Sequence, residues 1–205
     1  MNKEQLIREL IDAGILRTKE IIDAFRAVRR ENFVLPQYTK HAYVNEPLPI
    51  PAGQTISQPQ TVAAMTEALA PKSGDVILEV GAGSGYQAAI LAEIVGHGGR
   101  IITTEIIPEL YEFAKKNLRD YKNVTVLNID GSRGYDGKYD RILVAASAPQ
   151  IPKPLADGMK DNGRMVIPVG DRMMLVEKHR GKTTEKFLGY YAFVPMTGKH
   201  GHKSI

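Results

Sequence analysis

Leu78-Glu79-Val80-Gly81-Ala82-Gly83-Ser84-Gly85-Tyr86 is the most informative stretch of this chain. Its apolar start indicates a buried strand, its three glycines indicate a tight turn, and the residues after the turn begin a helix. Glycines at alternate positions let the backbone approach a ligand where a Cβ atom would collide. The turn therefore predicts a ligand held at a helix N-terminus, at the carboxyl end of a sheet strand.

The spacing of the glycines indicates the class of ligand. The pattern is G-x-G-x-G, whereas the dinucleotide fingerprint is G-x-G-x-x-G, and Tyr86 stands where its third glycine would be. The loop therefore favours a nucleoside over a pyrophosphate, and the carboxylate of Glu79 favours a cation over a phosphate. A cationic nucleoside means S-adenosylmethionine, with S-adenosylhomocysteine as the product. A nicotinamide dinucleotide, or a turn that serves only chain geometry, remains the alternative.

Strand and helix patterns alternate on both sides of this turn. Strands are predicted at 76–80, 100–105, 124–129 and 139–146, with helices at 86–95 and 108–118. A short helix near 154–159 and strands near 165–169, 173–178 and 188–194 follow, at least one of them antiparallel. This alternation predicts an α/β fold with a doubly wound, mostly parallel sheet and an antiparallel C-terminal strand.

The N-terminal part precedes this alternation and has a different character. Asn2 and Gln5 form a capping box for a first helix, and a second helix is predicted from Thr18. Residues 33–59 contain five prolines and no helical period, and a loop of that length is usually functional. We expect one domain, 1–205, with N-terminal helices and a substrate-side loop in 1–60 and the cofactor-binding core in 61–205.

Two more acids follow predicted strands, where a nucleoside needs hydrogen-bond acceptors. Glu105 ends the second strand of the alternation, about twenty residues past the glycine turn, where a carboxylate accepts from both ribose hydroxyls. Asp130 ends the third strand, and its carboxylate can accept from the adenine amino group. Gly131 would let the backbone reach the adenine ring. Each acid could also be an ordinary solvated residue at the end of a strand.

Composition sets limits on partners and compartment. The 205 residues contain no cysteine, which excludes disulfides and thiolate metal sites, and the net charge is only +4. Basic residues are scattered among acids, so we expect no nucleic-acid partner. No apolar run reaches membrane-spanning length, and we expect a cytoplasmic monomer with no membrane contact. His200-Gly201-His202 is interpreted as a mobile or peptide-contacting tail, with no metal site.

Several further segments carry a resemblance to a known family. They are Ala42-Tyr43, Leu48-Pro49-Ile50, Gly53 to Pro59, Ala146 to Pro152, Pro168-Val169-Gly170 and Phe193-Val194-Pro195. In this order and spacing the chain resembles the protein L-isoaspartate O-methyltransferase family from about Leu6 to Thr197. The resemblance implies the class I methyltransferase fold and transfer of a methyl group to the free α-carboxylate of L-isoaspartyl residues in damaged proteins and peptides.

The same resemblance implies the site residues. Ser57 would be the catalytic residue. The cofactor-binding residues would be Thr55, Ile56, Ser57, Glu79, Gly81, Gly83, Gly85, Glu105, Ile106, Asp130, Gly131 and Thr197.

The chemistry agrees with the absence of a conspicuous acid–base motif. A carboxylate with a pKa of about 4 is already ionised at neutral pH, so its methylation needs positioning and removal from water rather than a base. A neutral hydroxyl such as that of Ser57 can orient one carboxylate oxygen while the other attacks. Ser57 and Gln60 also match a helix capping box, and we expect the hydroxyl to serve both roles.

Two other functions remain open. A methyltransferase of the same fold acting on RNA or a small metabolite would carry a basic stripe or a catalytic acid–base pair, and neither is visible. A binding module that kept the nucleoside pocket but lost turnover would bind the cofactor and transfer no methyl group.

Overall fold

Nine strands and six helices are found in residues 1–202, the part of the chain that this computed structural model describes. The strands are β1 Leu48–Pro49, β2 Thr55–Ile56, β3 Val76–Val80, β4 Arg100–Thr104, β5 Val124–Leu127, β6 Tyr139–Val144, β7 Met159–Val169, β8 Arg172–His179 and β9 Lys182–Tyr190. The helices are α1 Lys3–Asp12, α2 Lys19–Ala27, α3 Pro59–Leu69, α4 Tyr86–Val95, α5 Pro108–Asn117 and α6 Lys153–Gly158.

The central sheet has the order β5-β4-β3-β6-β7-β8-β9. Strands β3 to β7 are mutually parallel, whereas β8 and β9 are antiparallel to their neighbours. The α/β prediction with a mostly parallel sheet is therefore confirmed, with two antiparallel strands at the C-terminal edge. Because β3, β4, β5 and β6 are parallel, the segments that follow them all emerge at one edge of the sheet, where ligands bind in such folds.

Apolar side chains pack against both faces of the sheet, in two core clusters. The N-terminal helices α1 and α2 belong to one of these clusters. Helix α4 is buried almost all round, and the apolar side chains of α1 and α2 join it in one core cluster. The capping box predicted at the start of α1 is present, since Asn2 and Gln5 exchange side-chain and backbone hydrogen bonds. No helix within residues 1–202 is long and apolar enough to span a lipid bilayer.

The Pro-rich segment between α2 and α3 is ordered without forming a long element. It contains three short 3-10 helices, at Arg30–Phe33, Pro36–His41 and Pro51–Gly53, and the antiparallel pair β1–β2. Proline favours this arrangement because it fixes φ and donates no backbone hydrogen bond. The segment brings residues 54–57 over the carboxyl edge of the sheet, next to the glycine turn.

Three predicted boundaries are wrong. Strand β7 begins at Met159 rather than near 165, because residues 160–162 are polar and partly or fully exposed and carry no apolar pattern. The last strand spans Lys182–Tyr190 rather than 188–194, because β9 pairs only with β8 and its first six residues are exposed, so they carry no apolar pattern. Helix α3 starts at Pro59 with Gln58 at the N-cap position, which the capping box of Ser57 and Gln60 assigns to Ser57.

Candidate active site

One pocket gathers nearly all the predicted site residues. It lies at the carboxyl edge of the sheet, and segment 54–57 forms one of its walls. The predicted residues that line it are Thr55, Ile56, Ser57, Glu79, Gly81, Gly83, Glu105, Ile106, Asp130, Gly131 and Thr197. Gly85 is the one predicted residue outside this lining within residues 1–202.

The glycine turn has the backbone that its sequence predicts. Gly81 and Gly83 have φ angles of 96° and 54°, in a region that side chains disfavour. A Cβ atom added at Gly81 would meet no protein atom closer than 3.5 Å, and one at Gly83 none closer than 3.7 Å. These are ordinary contacts with Ala145 and Ile50, so the positive φ angle, and not a steric clash, favours glycine at both positions. Both glycines line the pocket.

Packing adds a second constraint at Gly85, whose φ angle of 87° is also positive, and packing is the constraint at Gly131. A Cβ atom at Gly85 would lie 2.8 Å from Cδ1 of Leu118, behind the pocket. A Cβ atom at Gly131 would lie 2.1 Å from Oγ1 of Thr104, on the neighbouring strand. Gly131 still lines the pocket, but its small size first serves contact with the sheet.

Glu105 is buried and holds the glycine turn in place. Its Oε2 accepts a hydrogen bond of 3.0 Å from the backbone amide of Gly83, and its Oε1 accepts one of 3.0 Å from that of Ile107. Each oxygen keeps a second lone pair for a ligand hydroxyl. Glu105 therefore sets the geometry of the turn and presents acceptors to the pocket at the same time.

The carboxyl group of Glu79, unlike that of Glu105, is not held by hydrogen bonds. Its side chain is completely buried, yet neither carboxylate oxygen has a hydrogen-bond partner among the described residues. Burial raises its pKa to about 8, and the Glu105 carboxylate adds to this, while the Thr103 hydroxyl beside it opposes the shift. Buried polar groups are almost always hydrogen-bonded. The buried Thr103 hydroxyl is one donor beside this carboxyl and has no other hydrogen-bond partner among the described residues. Because the carboxyl also lines the pocket, its remaining acceptor capacity suits a cationic ligand.

Asp130 is already engaged with the C-terminal tail. Its Oδ1 accepts from the amide and the hydroxyl of Ser132 at 3.0 and 2.6 Å, and its Oδ2 accepts from the amide of Lys199 at 2.8 Å. The Ser132 hydroxyl in turn accepts from the amide of His200 at 3.0 Å. The tail around His200 is thus bound along this side of the pocket, and only part of the acceptor capacity of Asp130 remains for adenine.

Ser57 does not cap helix α3, so the predicted capping box is wrong. The cap comes from Asn45, whose Oδ1 accepts from the amide of Gln60 at 3.0 Å and whose amide nitrogen donates to Oε1 of Gln60 at 3.1 Å. Gln58 adds a bond from its side chain to the carbonyl of Asn45. The Ser57 hydroxyl lines the pocket and takes part in none of the side-chain hydrogen bonds found within residues 1–202, so it can donate to a ligand.

Arg30 ties the Pro-rich segment to the start of helix α4. Its guanidinium is completely buried, donates from Nε to the carbonyl of Ala42 at 2.8 Å, and lies 4.9 Å from the ring centroid of Tyr86. Burial lowers its pKa to about 10, and the nearby Tyr86 and Tyr43 rings oppose the shift. Because Tyr86 lines the pocket, this contact fixes the Pro-rich segment against it.

Two of the motifs that carry the family resemblance meet at the pocket mouth. The amide of Ser147 donates to the carbonyl of Val194 at 2.8 Å, and its carbonyl accepts from the amide of Met196 at 2.7 Å. The Ser147 hydroxyl donates to the carbonyl of Gly170 at 2.7 Å. Ala146 and Val194 line the pocket on either side of this junction.

Sequence reasoning missed several residues of the pocket. Ser132, Ile107 and Ile129 lie within two positions of predicted site residues, so their place next to a strand end was the available signal. Asn45 caps helix α3 outside the pocket lining and was also missed, because its partner Gln60 lies fifteen positions away and no local signal marks it. No group of three or more His, Asp or Glu side chains in the described part of the chain is arranged to hold a metal ion.

Comparisons with known proteins identify the family and the fold of the chain. The family model described as Protein-L-isoaspartate(D-aspartate) O-methyltransferase (PCMT) matches residues 1–201. A protein-L-isoaspartate O-methyltransferase from Methanopyrus kandleri is 47% identical, over 97% of this chain and 92% of its own. One from Archaeoglobus fulgidus is 46% identical, over 99% and 96%. A Plasmodium falciparum structure in complex with S-adenosyl-L-homocysteine has the same fold, with a TM-score of 0.86 at 23% identity over 96% of this chain and 99% of its own.

Proposed function

The chain belongs to the protein-L-isoaspartate(D-aspartate) O-methyltransferase family, and we propose how its residues perform the reaction of that family. The protein transfers a methyl group from S-adenosylmethionine to the free α-carboxylate of L-isoaspartyl residues in damaged proteins. The single observation that carries the residue assignment is that a glycine turn held by Glu105, the unpaired buried carboxyl of Glu79 and the hydroxyl of Ser57 meet in one pocket.

The pocket residues suit S-adenosylmethionine. Gly81 and Gly83 line the pocket without side chains, so a ligand can lie close to their backbone. Glu105 accepts from the ribose hydroxyls with the lone pairs that Gly83 and Ile107 leave free. The unpaired carboxyl of Glu79 accepts from the cationic amino group of the ligand. When bound, this cofactor supplies an electrophilic methyl group on a positively charged sulfur.

Ser57 orients the substrate. Its hydroxyl is unpaired within residues 1–202 and lines the pocket, so it donates to one oxygen of the isoaspartyl carboxylate and leaves the other free to attack. The carboxylate needs no base, because it is ionised at neutral pH. Correct positioning alone can supply roughly 7–11 kcal/mol of the barrier in favourable cases.

The walls of the pocket mouth select the substrate arm. An isoaspartyl residue presents its α-carboxylate on a short free arm, because its side-chain carbon continues the chain. Ala146 and Val194 border the space for this arm, and their segments are fixed to each other through both backbone groups of Ser147. The amide and carbonyl of Ser147 are used in hydrogen bonds within the protein, so they are not available to bind the substrate. Selectivity for the isoaspartyl arm therefore comes from the shape of the pocket opening.

The product accounts for repair. A methyl ester is a better acyl donor than a carboxylate, so the backbone nitrogen of the next residue attacks it and releases methanol. The resulting succinimide takes up water at either carbonyl. One of the two openings restores the normal aspartyl linkage, and the other returns isoaspartate for a further round.

We also propose the organisation and setting in which the enzyme works. It acts as one domain and as a monomer, with 1–60 on the substrate side. The core cluster shared by α1, α2 and α4 supports the single domain. The absence of cysteine from the 205 residues is compatible with the cytoplasm, because the fold needs no disulfide. Ion pairs such as Lys153–Asp157 and Arg164–Glu177 neutralise surface cations, which supports a function without nucleic acid. Sedimentation velocity and cell fractionation test these points.

The reaction is tested with matched peptides. An isoaspartyl peptide and its aspartyl twin are incubated with the enzyme and the cofactor carrying a tritiated methyl group, with tRNA as a third substrate. We expect strong labelling of the isoaspartyl peptide and almost none of the other two. Equal labelling of both peptides, or better labelling of tRNA, would contradict the proposed function.

A further inference from the structure

Strand β9 carries an exposed aromatic pair that the reaction described above does not use. Phe187 is 40% exposed and Tyr190 is 73% exposed, and their ring centroids lie 5.0 Å apart in an edge-to-face arrangement. The guanidinium of Arg172 lies 5.1 Å from the centroid of the Phe187 ring. We call these three residues, Arg172, Phe187 and Tyr190, the aromatic clip. Neighbouring exposed apolar side chains of this kind are candidates for an interaction site.

A bulge brings the clip to one face of the sheet. Met174 pairs with Phe187 and Met173 with Gly189, so Leu188 is an extra residue in β9. Side chains three positions apart normally point to opposite faces of a strand, but the extra residue puts Phe187 and Tyr190 on the same face. Arg172 pairs with Tyr190 and completes the group. Bulges that redirect side chains are common beside active sites.

The clip lies at the pocket end of the sheet. Strand β9 is antiparallel to β8, which is antiparallel to β7, so β9 ends at the same edge as the strands that build the pocket. The chain then continues from Tyr190 to Val194, which is 38% exposed and lines the pocket mouth. Four residues of extended chain span at most about 14 Å.

The charges along β9 distinguish its two ends. Lys182, Glu185 and Lys186 occupy the part far from the pocket, and charges of this kind protect an open sheet edge from pairing with other chains. Residues 187–190 carry no charge. In the described chain β9 pairs with β8 alone, so its outer edge is open where this protection ends.

We propose that the aromatic clip binds the substrate chain beside the isoaspartyl residue and prefers an aromatic side chain about four residues away from it. This inference rests on the proposed function, since that function makes the substrate a polypeptide whose flanking residues must cross the surface next to the pocket. An extended chain along the open edge places one side chain against the Phe187 and Tyr190 rings, with Arg172 at the side. The clip thereby sets sequence preference without touching the reacting carboxylate.

The test uses two isoaspartyl peptides that differ at one position, four residues from the isoaspartate, with Phe in one and Ser in the other. For the natural protein we expect KM to be about tenfold lower for the Phe peptide, with equal kcat. In the double variant Phe187→Ser, Tyr190→Ser, the KM for the Phe peptide should rise to that for the Ser peptide. Glu185→Ser, on the same face but farther from the pocket, is the control and should keep the preference.

The outcomes separate this inference from the proposed function. If the natural protein methylates neither peptide, the proposed function fails. If it methylates both with the same KM, or if the double variant keeps the preference, the clip is not a substrate site. Should the double variant fail to fold, Tyr190→Ser alone replaces it, because this side chain is mostly exposed. Sedimentation velocity completes the test: a dimer that the variant dissociates, with peptide KM unchanged, would assign the clip to self-association and overturn the proposal.

Discussion

The two sides of the pocket differ in how far their polar groups are already hydrogen-bonded. On the side of β4 and β5, Glu105 and Asp130 use all four carboxylate oxygens to hold backbone amides or the Ser132 hydroxyl. On the side of the glycine turn and the Pro-rich segment, Glu79 and Ser57 have no partner within residues 1–202. The paired groups fix the shape of the pocket, and the unpaired groups are available to ligands.

This comparison predicts different consequences for removing residues on the two sides. Loss of a paired residue should disturb the pocket as a whole, because backbone segments lose their anchors. Loss of an unpaired residue should remove one ligand contact and leave the fold intact. The following experiments test this contrast, beginning with the largest expected effect.

Glu105→Ala should weaken cofactor binding most. The variant removes a charged acceptor for two ribose hydroxyls and also releases the amides of Gly83 and Ile107. Bonds to charged groups contribute about 1.5–3 kcal/mol each, so the dissociation constant for S-adenosylhomocysteine should rise about a hundredfold or more. Calorimetry measures this constant. An unchanged value would remove Glu105 from the cofactor site.

Ser57→Ala should lower kcat about ten- to a hundredfold, because the carboxylate loses its orienting donor. Its free energy of unfolding should remain within about 0.5 kcal/mol of the natural value, since Ser57 caps no helix. Steady-state kinetics and urea unfolding measure the two quantities on the same preparation. Normal turnover in this variant would mean that another group orients the carboxylate.

Glu79 should make the stability of the free protein depend on pH. Its pKa is raised to about 8, above the usual value of a glutamate, so the folded state binds its proton more tightly than the unfolded state does. The resulting stabilisation is complete at acidic pH and is lost as the pH rises toward and through 8. Urea unfolding at pH 5 and pH 8 should show this loss in the natural protein and less of it in Glu79→Gln. An equal loss in both proteins would show that Glu79 is not the source.

Asn45→Ala should have the smallest effect, and on stability alone. The Asn45 side chain caps helix α3, and loss of such a cap costs about 0.5–2 kcal/mol. The dissociation constant for S-adenosylhomocysteine should stay the same, because Asn45 does not line the pocket. Urea unfolding and calorimetry provide the two measurements. A stable Asn45→Ala together with an unstable Ser57→Ala would restore Ser57 as the cap.

The sequence predicts the paired and unpaired sides to different extents. The strand ends that carry Glu79, Glu105 and Asp130 are predictable because strand and helix periods are local patterns. The capping of α3 is not, because Ser57 and Gln60 match a local motif while Asn45 reaches the same amide from another segment. Tertiary contact, which the motif does not encode, decides between them.

In the C-terminal part, too, local sequence patterns do not predict contacts between distant segments. The start of β9 has no apolar alternation because its residues are exposed, so its position follows only from pairing with β8. The tail around His200 is predicted as mobile or peptide-contacting, yet its amides are bound to the Asp130–Ser132 turn. Every residue except proline has the same backbone amide, so the sequence does not indicate which acceptor a given amide binds in the folded chain.

Proton release during cofactor binding tests the central contrast most directly. S-adenosylhomocysteine is titrated into the protein at pH 7 by calorimetry, in two buffers with different heats of ionisation. If its amino group pairs with Glu79, the carboxyl must ionise, and about one proton per ligand should be released by the natural protein and clearly less by Glu79→Gln. Glu105, the other carboxylate that acts on Glu79, is unchanged in both proteins. Tight binding with no proton release, or with equal release in the two proteins, would contradict the account.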